Sequence, residues 1–170
     1  MDRCSGRMAD VSDEDPPFDV ASFLAEALRP AQVAAVSDSG LPVLGSLWFL
    51  YEDGRFWFSS SVETPLLRAL SHGSEIAVIV DEFSPPERIR QVRVRGPGRV
   101  EPHDPQSVER IYRRYLGANL NSWPPLFRHR LTDRRFALWS VAPSSGLIAA
   151  FPDFDAREAR WSAPTTGPMP

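Results

Sequence analysis

Short apolar segments alternate with short polar segments along most of the chain. Apolar segments of this length favour β-strands over long helices. The most informative stretch covers residues 41–70. It begins with an apolar strand over residues 41–51, followed by a turn at 52–55 and a second strand over 55–60. The turn contains Asp-Gly, the pair typical of tight hairpins, so the two strands are predicted to pair antiparallel.

A short helix is predicted over residues 64–70, directly after the second strand. Thr64 followed by Pro65 is typical of an N-cap with proline at the first helical position. The same kind of pattern predicts the other elements. They are helices over 18–28 and 106–116, a second short helix within 119–131, a loop at 81–87, and strands over 32–36, 75–80, 88–100, 134–141 and 147–151.

Three of the predicted strands are apolar on both faces. Residues 47–51, 56–58 and 76–80 carry apolar side chains at odd and even positions alike. Because successive strand residues point to opposite faces, we expect both faces of these strands to be covered. Flanking helices or a second subunit would supply that cover.

The longest predicted strand, by contrast, has one polar and one apolar face. Val92 and Val94 point one way, and Arg93 and Arg95 point the other. The segment Gly96-Pro-Gly98 predicts a bend or bulge near the end of this strand. A curled strand of this kind suits the closure of a β-barrel.

The chain has 170 residues, enough for one domain with a single core. We expect a disordered acidic lead at 1–17, the folded domain at 18–155 and a mobile proline-rich tail at 156–170. A formal charge of −3 and the lack of any apolar run of membrane-spanning length indicate neither a nucleic-acid nor a membrane partner. Without a recognisable secretory signal, and with Cys4 as its single cysteine, the chain is predicted to be cytoplasmic.

A group of hydroxyl side chains before the short helix forms the main candidate site. Ser59, Ser60 and Ser61 precede Thr64, and the N-terminus of a helix attracts anions. Arg68 lies four residues after Thr64 on the same helix face. All 19 basic residues are arginines, so arginine, hydroxyl or backbone N–H groups would hold any phosphate. The alternative is structural: serines that end a strand, a threonine that only caps and a solvated arginine.

Other candidates give no defined chemistry. No side chain is assigned a catalytic role, and His103 beside Asp104 has no partner at metal-ligand spacing, so no metal site is predicted. Trp123 is interpreted either as a core side chain or as a ring over a planar ligand. The seven arginines between residues 110 and 135 form either a solvated helix face or a groove for an acidic ligand.

The order of these elements over residues 18–141 resembles the pyridoxamine 5′-phosphate oxidase-like, FMN-binding split-barrel superfamily. The resemblance rests on four motifs in sequence: Pro-Val-Leu-Gly-Ser-Leu-Trp-Phe, Phe-Trp-Phe-Ser-Ser, Thr-Pro-Leu-Leu-Arg-Ala-Leu and Val-Arg-Gly. It implies a mainly β (α+β) fold, namely an antiparallel six-stranded split β-barrel with flanking helices. It also implies a homodimer that holds its flavin at the subunit interface.

The resemblance further implies which residues contact the cofactor, FMN. Its isoalloxazine ring and ribityl chain would contact Ser46, Leu47 and Trp48. Its phosphate would be held by Ser59, Ser60, Thr64 and Arg68. Many members have a lysine where this chain has Leu66, so one phosphate cation of the family is missing here.

On this resemblance, the predicted function is that of a flavin-dependent oxidoreductase that uses FMN on an unknown small molecule. Two alternatives stay open: a deazaflavin-dependent reductase of the same fold, and a non-enzymatic module that binds flavin or haem. The arginines between residues 110 and 135 suit the acidic tail of a deazaflavin, and Leu66 favours the module. Oxidation of vitamin B6 is disfavoured, because residues 139–170 match no substrate-binding pattern of the true oxidases.

Overall fold

The computed structural model describes residues 15–26, 28–70, 73 and 75–162. Nine strands lie in this part of the chain: β1 (Ala31–Val36), β2 (Pro42–Leu47), β3 (Phe49–Glu52), β4 (Arg55–Ser61), β5 (Glu75–Ser84), β6 (Arg88–Glu101), β7 (Phe136–Val141), β8 (Ser145–Ala150) and β9 (Arg157–Arg160). The helices are α1 (Val20–Glu26), α2 (Pro65–Leu70), α3 (Pro105–Leu116) and α4 (Pro125–Arg130), with 3-10 turns at Leu120–Ser122 and Pro152–Phe154.

The strands form two antiparallel sheets that share β6. The front sheet has the order β2-β1-β5-β6-β8-β9, and the back sheet has the order β6-β7-β4-β3. The sheet system is open, and its edge strands are β2, β3 and β9. The predicted class, a mainly β antiparallel split barrel with flanking helices, is confirmed. The described residues contain nine strands, compared with the six of the barrel that the resemblance implies and the seven that the sequence pattern predicts.

Strand β6 passes from the front sheet to the back sheet at two glycines. Its partner changes between Arg95, opposite Ser145 of β8, and Gly98, opposite Val141 of β7. A Cβ on Gly96 would lie 2.0 Å from the carbonyl oxygen of Ala142, and one on Gly98 would lie 2.0 Å from Leu70 Cδ2 of α2. The predicted bend at residues 96–98 therefore falls where β6 changes sheets, and the close approach requires glycine.

One apolar cluster fills the space between the two sheets. Alternate residues of each sheet point into it, and α1 and α2 add side chains. Its largest members are Phe23, Leu24, Phe49, Phe56, Phe58, Leu66, Leu67, Leu70, Ile76, Trp139 and Ile148. The rings of Phe58 and Trp139 stack with their centroids 4.3 Å apart. This interior cluster fixes which face of every strand is left for other contacts.

A second apolar cluster lies between α3 and the outer face of the back sheet. Ile111 and Tyr112 of α3 belong to it, together with Leu138 of β7, and Leu50 and Trp57 of β3 and β4 pack against it. Both faces of β3 and β4 are therefore buried at least in part, as predicted. Helices of the chain itself supply the cover here.

The predicted strand over 41–51 is wrong as a single element. It is divided into β2 and β3 at Trp48. The indole ring stacks between Tyr115 and Phe127, with centroid distances of 4.7 and 5.0 Å. The hydroxyl of Tyr115 also accepts a 3.1 Å hydrogen bond from the backbone N–H of Phe49. Contacts with α3 and α4 thus draw the chain out of the front sheet at this residue.

Two other predicted boundaries are also wrong. The loop over 81–87 is mostly strand, because β5 continues to Ser84 and pairs with Arg88 at the start of β6. The first helix spans Val20–Glu26, and the side chain of Asp19 caps it by accepting from the backbone N–H of Ser22 at 3.2 Å. Both differences come from partners that periodicity alone does not reveal.

At the C-terminal end, β9 pairs with β8 through Ala159 opposite Ile148, so the sheet runs past residue 155 into the predicted tail. Residues 1–14, including Cys4, and residues 163–170 lie outside the described residues. The division into lead, body and tail therefore stays a prediction.

Among the described helices, none has the length and apolar character needed to cross a membrane.

Candidate functional site

The short helix α2 begins where the sequence predicts. The hydroxyl of Thr64 accepts a hydrogen bond from the backbone N–H of Leu67 at 3.4 Å and donates to the carbonyl oxygen of Ser61 at 2.9 Å. The hydroxyl of Ser61 accepts from the backbone N–H of Glu63 at 3.3 Å. Hydroxyl groups thus fix the turn from β4 into α2. Arg68 is exposed one helical turn later.

The serines of β4 do not form one cluster. Ser60 faces the interior, is 8% exposed, and accepts a 2.7 Å hydrogen bond from the indole N–H of Trp139. Ser59 faces the opposite way, towards α3, where the hydroxyl of Tyr112 donates to it at 3.4 Å. The alternation of a β-strand separates these two neighbours onto different faces of the sheet.

Leu66 occupies the position where the resemblance would place a lysine. It is buried in the interior cluster, and a Cβ on Gly45 of β2 would lie 3.8 Å from its Cδ2. This leucine therefore packs α2 against β2. Arg68 is the cation that α2 itself carries.

The three predicted ring contacts lie where β2 leaves the front sheet. Ser46 is exposed, and its hydroxyl accepts a 3.2 Å hydrogen bond from the side-chain amide of Gln32. Leu47 packs against the interior cluster. Trp48 stacks on Tyr115. Because the three side chains point to different places, a shared ligand would meet this segment along its backbone.

Tyr112 of α3 connects two of the predicted residues. Its ring makes an edge contact with Trp48, with the centroids 6.1 Å apart, and its hydroxyl donates to Ser59. The packing of Leu66 near Gly45 connects α2 to β2. Residues 46–48, 59–61 and 64–68 lie at the end of β2, the end of β4 and the start of α2. We call this region the seam. Helical spacing places Tyr112 in the apolar stripe of α3, and nothing in the sequence indicates the partner of its hydroxyl.

The outer side of the front sheet, which we call the front face, is not covered by any described helix. Directly paired residues point to the same side, so its side chains form rows across the strands. One row is Ser46, Gln32, Ile79, Arg93, Leu147 and Arg160. The next is Leu44, Ala34, Ala77, Arg95 and Ser145.

The front face has an apolar half and an arginine half. On β1 and β2, Val36 is 55% exposed and Leu44 is 73% exposed. Arg93, Arg95 and Arg160 stand on the other side, beyond β5. Ile79 of β5 is 37% exposed in the described structure, so no described part of the chain covers this side of β5, and of the two kinds of cover that were predicted only a second subunit could supply it. Because the outward-facing residues of this strand are apolar as well, the sequence pattern does not distinguish an open face from a covered one.

Two other candidates have structural contacts. Trp123 is buried, and its indole N–H donates to the carbonyl oxygen of Gly117 at 2.9 Å, so it is a core side chain. The ring nitrogen Nε2 of His103 lies 3.0 Å from the carbonyl oxygen of Leu131. Within the described ranges there is no group of three or more His, Cys, Asp or Glu side chains that could hold a metal.

Several arginines between residues 110 and 135 are also engaged. Arg110 lies 3.1 Å from Glu52, and Arg114 donates to a backbone carbonyl of α1 at 2.6 Å. Hydrogen bonds from Arg135 hold the pKa of Asp133 down to about 2. These contacts favour the structural interpretation of the three arginines over a groove for an acidic ligand.

Comparison with known proteins gives one family match. Residues 19–145 match the sequence model of the family described as pyridoxamine 5′-phosphate oxidase. No curated protein sequence matches the chain at a significant level.

Solved structures share the fold at low identity. A conserved hypothetical protein from Mycobacterium tuberculosis is 16% identical, with a TM-score of 0.64 and coverage of 91% of this chain and 88% of that one. HutZ, the haem storage protein from Vibrio cholerae, is 14% identical, with a TM-score of 0.59 and coverage of 74% and 87%. An F420 reductase is 22% identical, with a TM-score of 0.53 and coverage of 72% and 92%.

Proposed function

The chain belongs to the pyridoxamine 5′-phosphate oxidase family, and from this premise we propose that it is a flavin-dependent oxidoreductase that binds FMN. The observation that carries the proposal is the seam. There, a helix start fixed by hydroxyl groups packs against the last residues of β2, at the edge of an uncovered sheet face. Phosphate needs hydrogen-bond donors and a flat ring needs an apolar surface, and the seam offers the two side by side.

In this proposal the phosphate lies at the start of α2 and the ring lies along β2. The phosphate contacts are Ser59, Ser60, Thr64 and Arg68, and the ring contacts are Ser46, Leu47 and Trp48. Arg68 supplies a planar pair of donors that matches phosphate oxygens. Ser60 contributes through its backbone, because its hydroxyl is already bonded to Trp139 inside the barrel.

FMN supplies the hydride chemistry when it is bound. The residues of the chain bind and orient the cofactor. Gln32 holds the hydroxyl of Ser46, and Tyr112 holds both Trp48 and Ser59. These contacts from Gln32 and Tyr112 fix the residues of the seam, so the hydrogen-bond donors for a flat ligand would be in place before it binds.

The proposal includes a homodimer with the cofactor at its interface. The apolar half of the front face, around Val36 and Leu44, has no cover from the described chain. Exposed apolar patches of this kind mark interaction surfaces. A second copy placed here would exclude water from the ring and leave a gap for a small-molecule substrate. We also propose a cytoplasmic location.

Leu66 favours a second candidate, a deazaflavin-dependent reductase or a non-enzymatic module that binds flavin or haem. A lost charge-assisted contact is worth about 1.5–3 kcal/mol, or roughly ten- to a hundredfold in affinity. The buried leucine therefore weakens the case for tight FMN phosphate binding. The F420 reductase and the haem storage protein of the same fold indicate which other ligands to try.

Titration with FMN tests the proposal, with flavin fluorescence as the readout. We expect micromolar binding, weakened about tenfold or more in Arg68→Gln. Arg128→Gln is the matched control, because Arg128 also occupies the fourth position of a six-residue helix that begins with Pro-Leu. A protein that binds no FMN at micromolar ligand would overturn the proposal. Titrations with deazaflavin and haem then decide between the alternatives.

A further inference from the structure

Arginines alternate with apolar residues across the second half of the front face. One row of directly paired residues crosses β5, β6, β8 and β9, and a second row runs beside it. The first row is Ile79, Arg93, Leu147 and Arg160, and the second is Ala77, Arg95 and Ser145. Cationic and apolar side chains are therefore neighbours across four adjacent strands.

These two rows line an open groove of about 620 Å³. Sites for small ligands commonly have volumes of roughly 300–1,000 Å³, so the groove has the right size for one. Ser46 of the seam lies in the same row as Arg93, three strands away. At roughly 4.8 Å per strand, the separation is about 14 Å. The groove is therefore a neighbour of the seam and not part of it.

The arginines of the groove are only partly neutralised by the residues around them. Arg93 Nη2 lies 3.4 Å from Glu158, and Arg95 Nε lies 3.0 Å from Ser145 Oγ and 3.8 Å from Glu75. The Nε atom of Arg93 is buried and has no hydrogen-bond acceptor among the described residues. The side chains of Arg93 and Arg95 are 41% and 67% exposed, so their terminal nitrogens are accessible to an acid group of a ligand.

We propose that this groove binds an amphipathic organic anion. The acid group, a carboxylate, sulfonate or phosphate, bonds to Arg93 and Arg95, and the apolar body covers Ile79 and Leu147. As a binding site, the groove stands on its own geometry. As the place where the substrate of the enzyme binds, it rests on the proposed function.

The apolar residues within the rows decide the class of anion. Ile79 separates the arginines from β1, and Leu147 stands between Arg93 and Arg160. A small polar anion would leave these two side chains in water, whereas an attached apolar body would bury them. The site therefore selects for an acid group and an apolar body in one molecule.

The test uses cofactor-free protein and two fluorescent probes. One is 8-anilinonaphthalene-1-sulfonate, and the other is N-phenyl-1-naphthylamine, which lacks the sulfonate. We expect the sulfonate to bind about tenfold or more tightly than the neutral probe. Arg93→Gln and Arg95→Gln should each weaken the sulfonate about tenfold and leave the neutral probe within about twofold. Arg99→Gln is the control, because Arg99 is exposed on the same strand outside the groove.

Three results would overturn the proposal. The neutral probe could bind as tightly as the sulfonate, or Arg99→Gln could weaken the sulfonate as much as Arg93→Gln does. Triglutamate, a polar polyanion, could displace the sulfonate as readily as decanoate does, which would contradict the need for an apolar body. Thermal melting of each variant shows that it is folded, and Arg95→Gln serves as the second variant if Arg93→Gln does not fold.

FMN titration of the same variants keeps this inference apart from the proposed function. We expect Arg93→Gln to lose the sulfonate and keep FMN, and Arg68→Gln to lose FMN and keep the sulfonate. Loss of both ligands in both variants would contradict two separate sites. Sulfonate binding with no FMN binding in the wild type would leave the groove in place and remove the flavin proposal.

Discussion

The outer faces of the two sheets both carry apolar side chains, but only that of the back sheet is covered. Leu50 and Trp57 of the back sheet pack under α3. Leu44 and Ile79 of the front sheet remain exposed, in rows that also contain arginines. An open apolar face of this kind is typical of a surface that binds a ligand or a partner. This contrast is the basis of our proposal that the ligand and the second copy bind at the front face and the seam beside it.

The largest expected effect is on the free energy of unfolding when one isoleucine at each outer face is replaced. Ile111 is fully buried between α3 and the back sheet, so Ile111→Ala should cost about 3 kcal/mol in the free energy of unfolding. Ile79→Ala on the front face is the matched control and should cost less than about 1 kcal/mol. Urea denaturation measures both. Equal costs would show that the front face is as well covered as the back.

Two ion pairs of β6 give the next comparison. Arg90 is turned towards α1 and donates to Glu82 from Nε at 2.7 Å and from Nη2 at 2.6 Å. Burial raises the pKa of Glu82, but the hydrogen bond from Arg90 and the charges of Arg90, Arg29 and Arg88 outweigh it. The net pKa lies below its ordinary value of 4.5. Glu82 therefore stabilises the fold above that pH, and this contribution is lost as the pH falls through its lowered pKa.

Glu82→Gln should lower the free energy of unfolding by about 2 kcal/mol at neutral pH. The difference from wild type should shrink as the pH falls below 4.5, because the carboxyl of Glu82 is protonated first in the unfolded chain and then, through its lowered pKa, in the folded protein. Glu158→Gln, which removes the partner of Arg93 on the front face, should cost less than about 1 kcal/mol. Denaturation across a pH series checks all three statements. A difference that grows towards acid pH would have the wrong sign.

The smallest effect on the free energy of unfolding is expected when the adjacent serines Ser59 and Ser60 are replaced. Ser60→Ala removes the acceptor of the buried Trp139 indole N–H and should cost about 1–2 kcal/mol. Ser59→Ala, on the other face of the same strand, should cost less than about 0.5 kcal/mol, and it should weaken FMN if the proposed phosphate site is right. Thermal melting and FMN titration separate the two roles. A larger loss of stability in Ser59→Ala would reverse the assignment of the faces.

Local chemistry made part of the fold predictable. The Asp-Gly turn forms as expected, with φ of 52° at Asp53 and 72° at Gly54, because these residues tolerate a positive φ. The cap of α2 at Thr64 depends on neighbours in the sequence. Predictions that needed only residues three or four positions apart were the reliable ones.

Distant contacts account for what the sequence did not reveal. The break at Trp48 depends on Tyr115 and Phe127, more than sixty residues later in the chain. The partner of the Ser60 hydroxyl is Trp139, 79 residues later in the chain. The open front face is invisible in the sequence because Ile79 would be equally apolar in a strand covered on both sides. Candidate site residues could be named from the sequence, but their grouping along the seam required the fold.

The central claim is that a second copy covers the apolar half of the front face beside a flavin at the seam, and the most direct measurement is sedimentation mass together with FMN titration. The variant is Leu44→Asp, because Leu44 is 73% exposed and its replacement leaves the interior intact. We predict that the wild type is a dimer that binds FMN. The variant should be a folded monomer whose FMN affinity is reduced about tenfold or more. A monomeric wild type whose FMN affinity equals that of the variant would contradict the account.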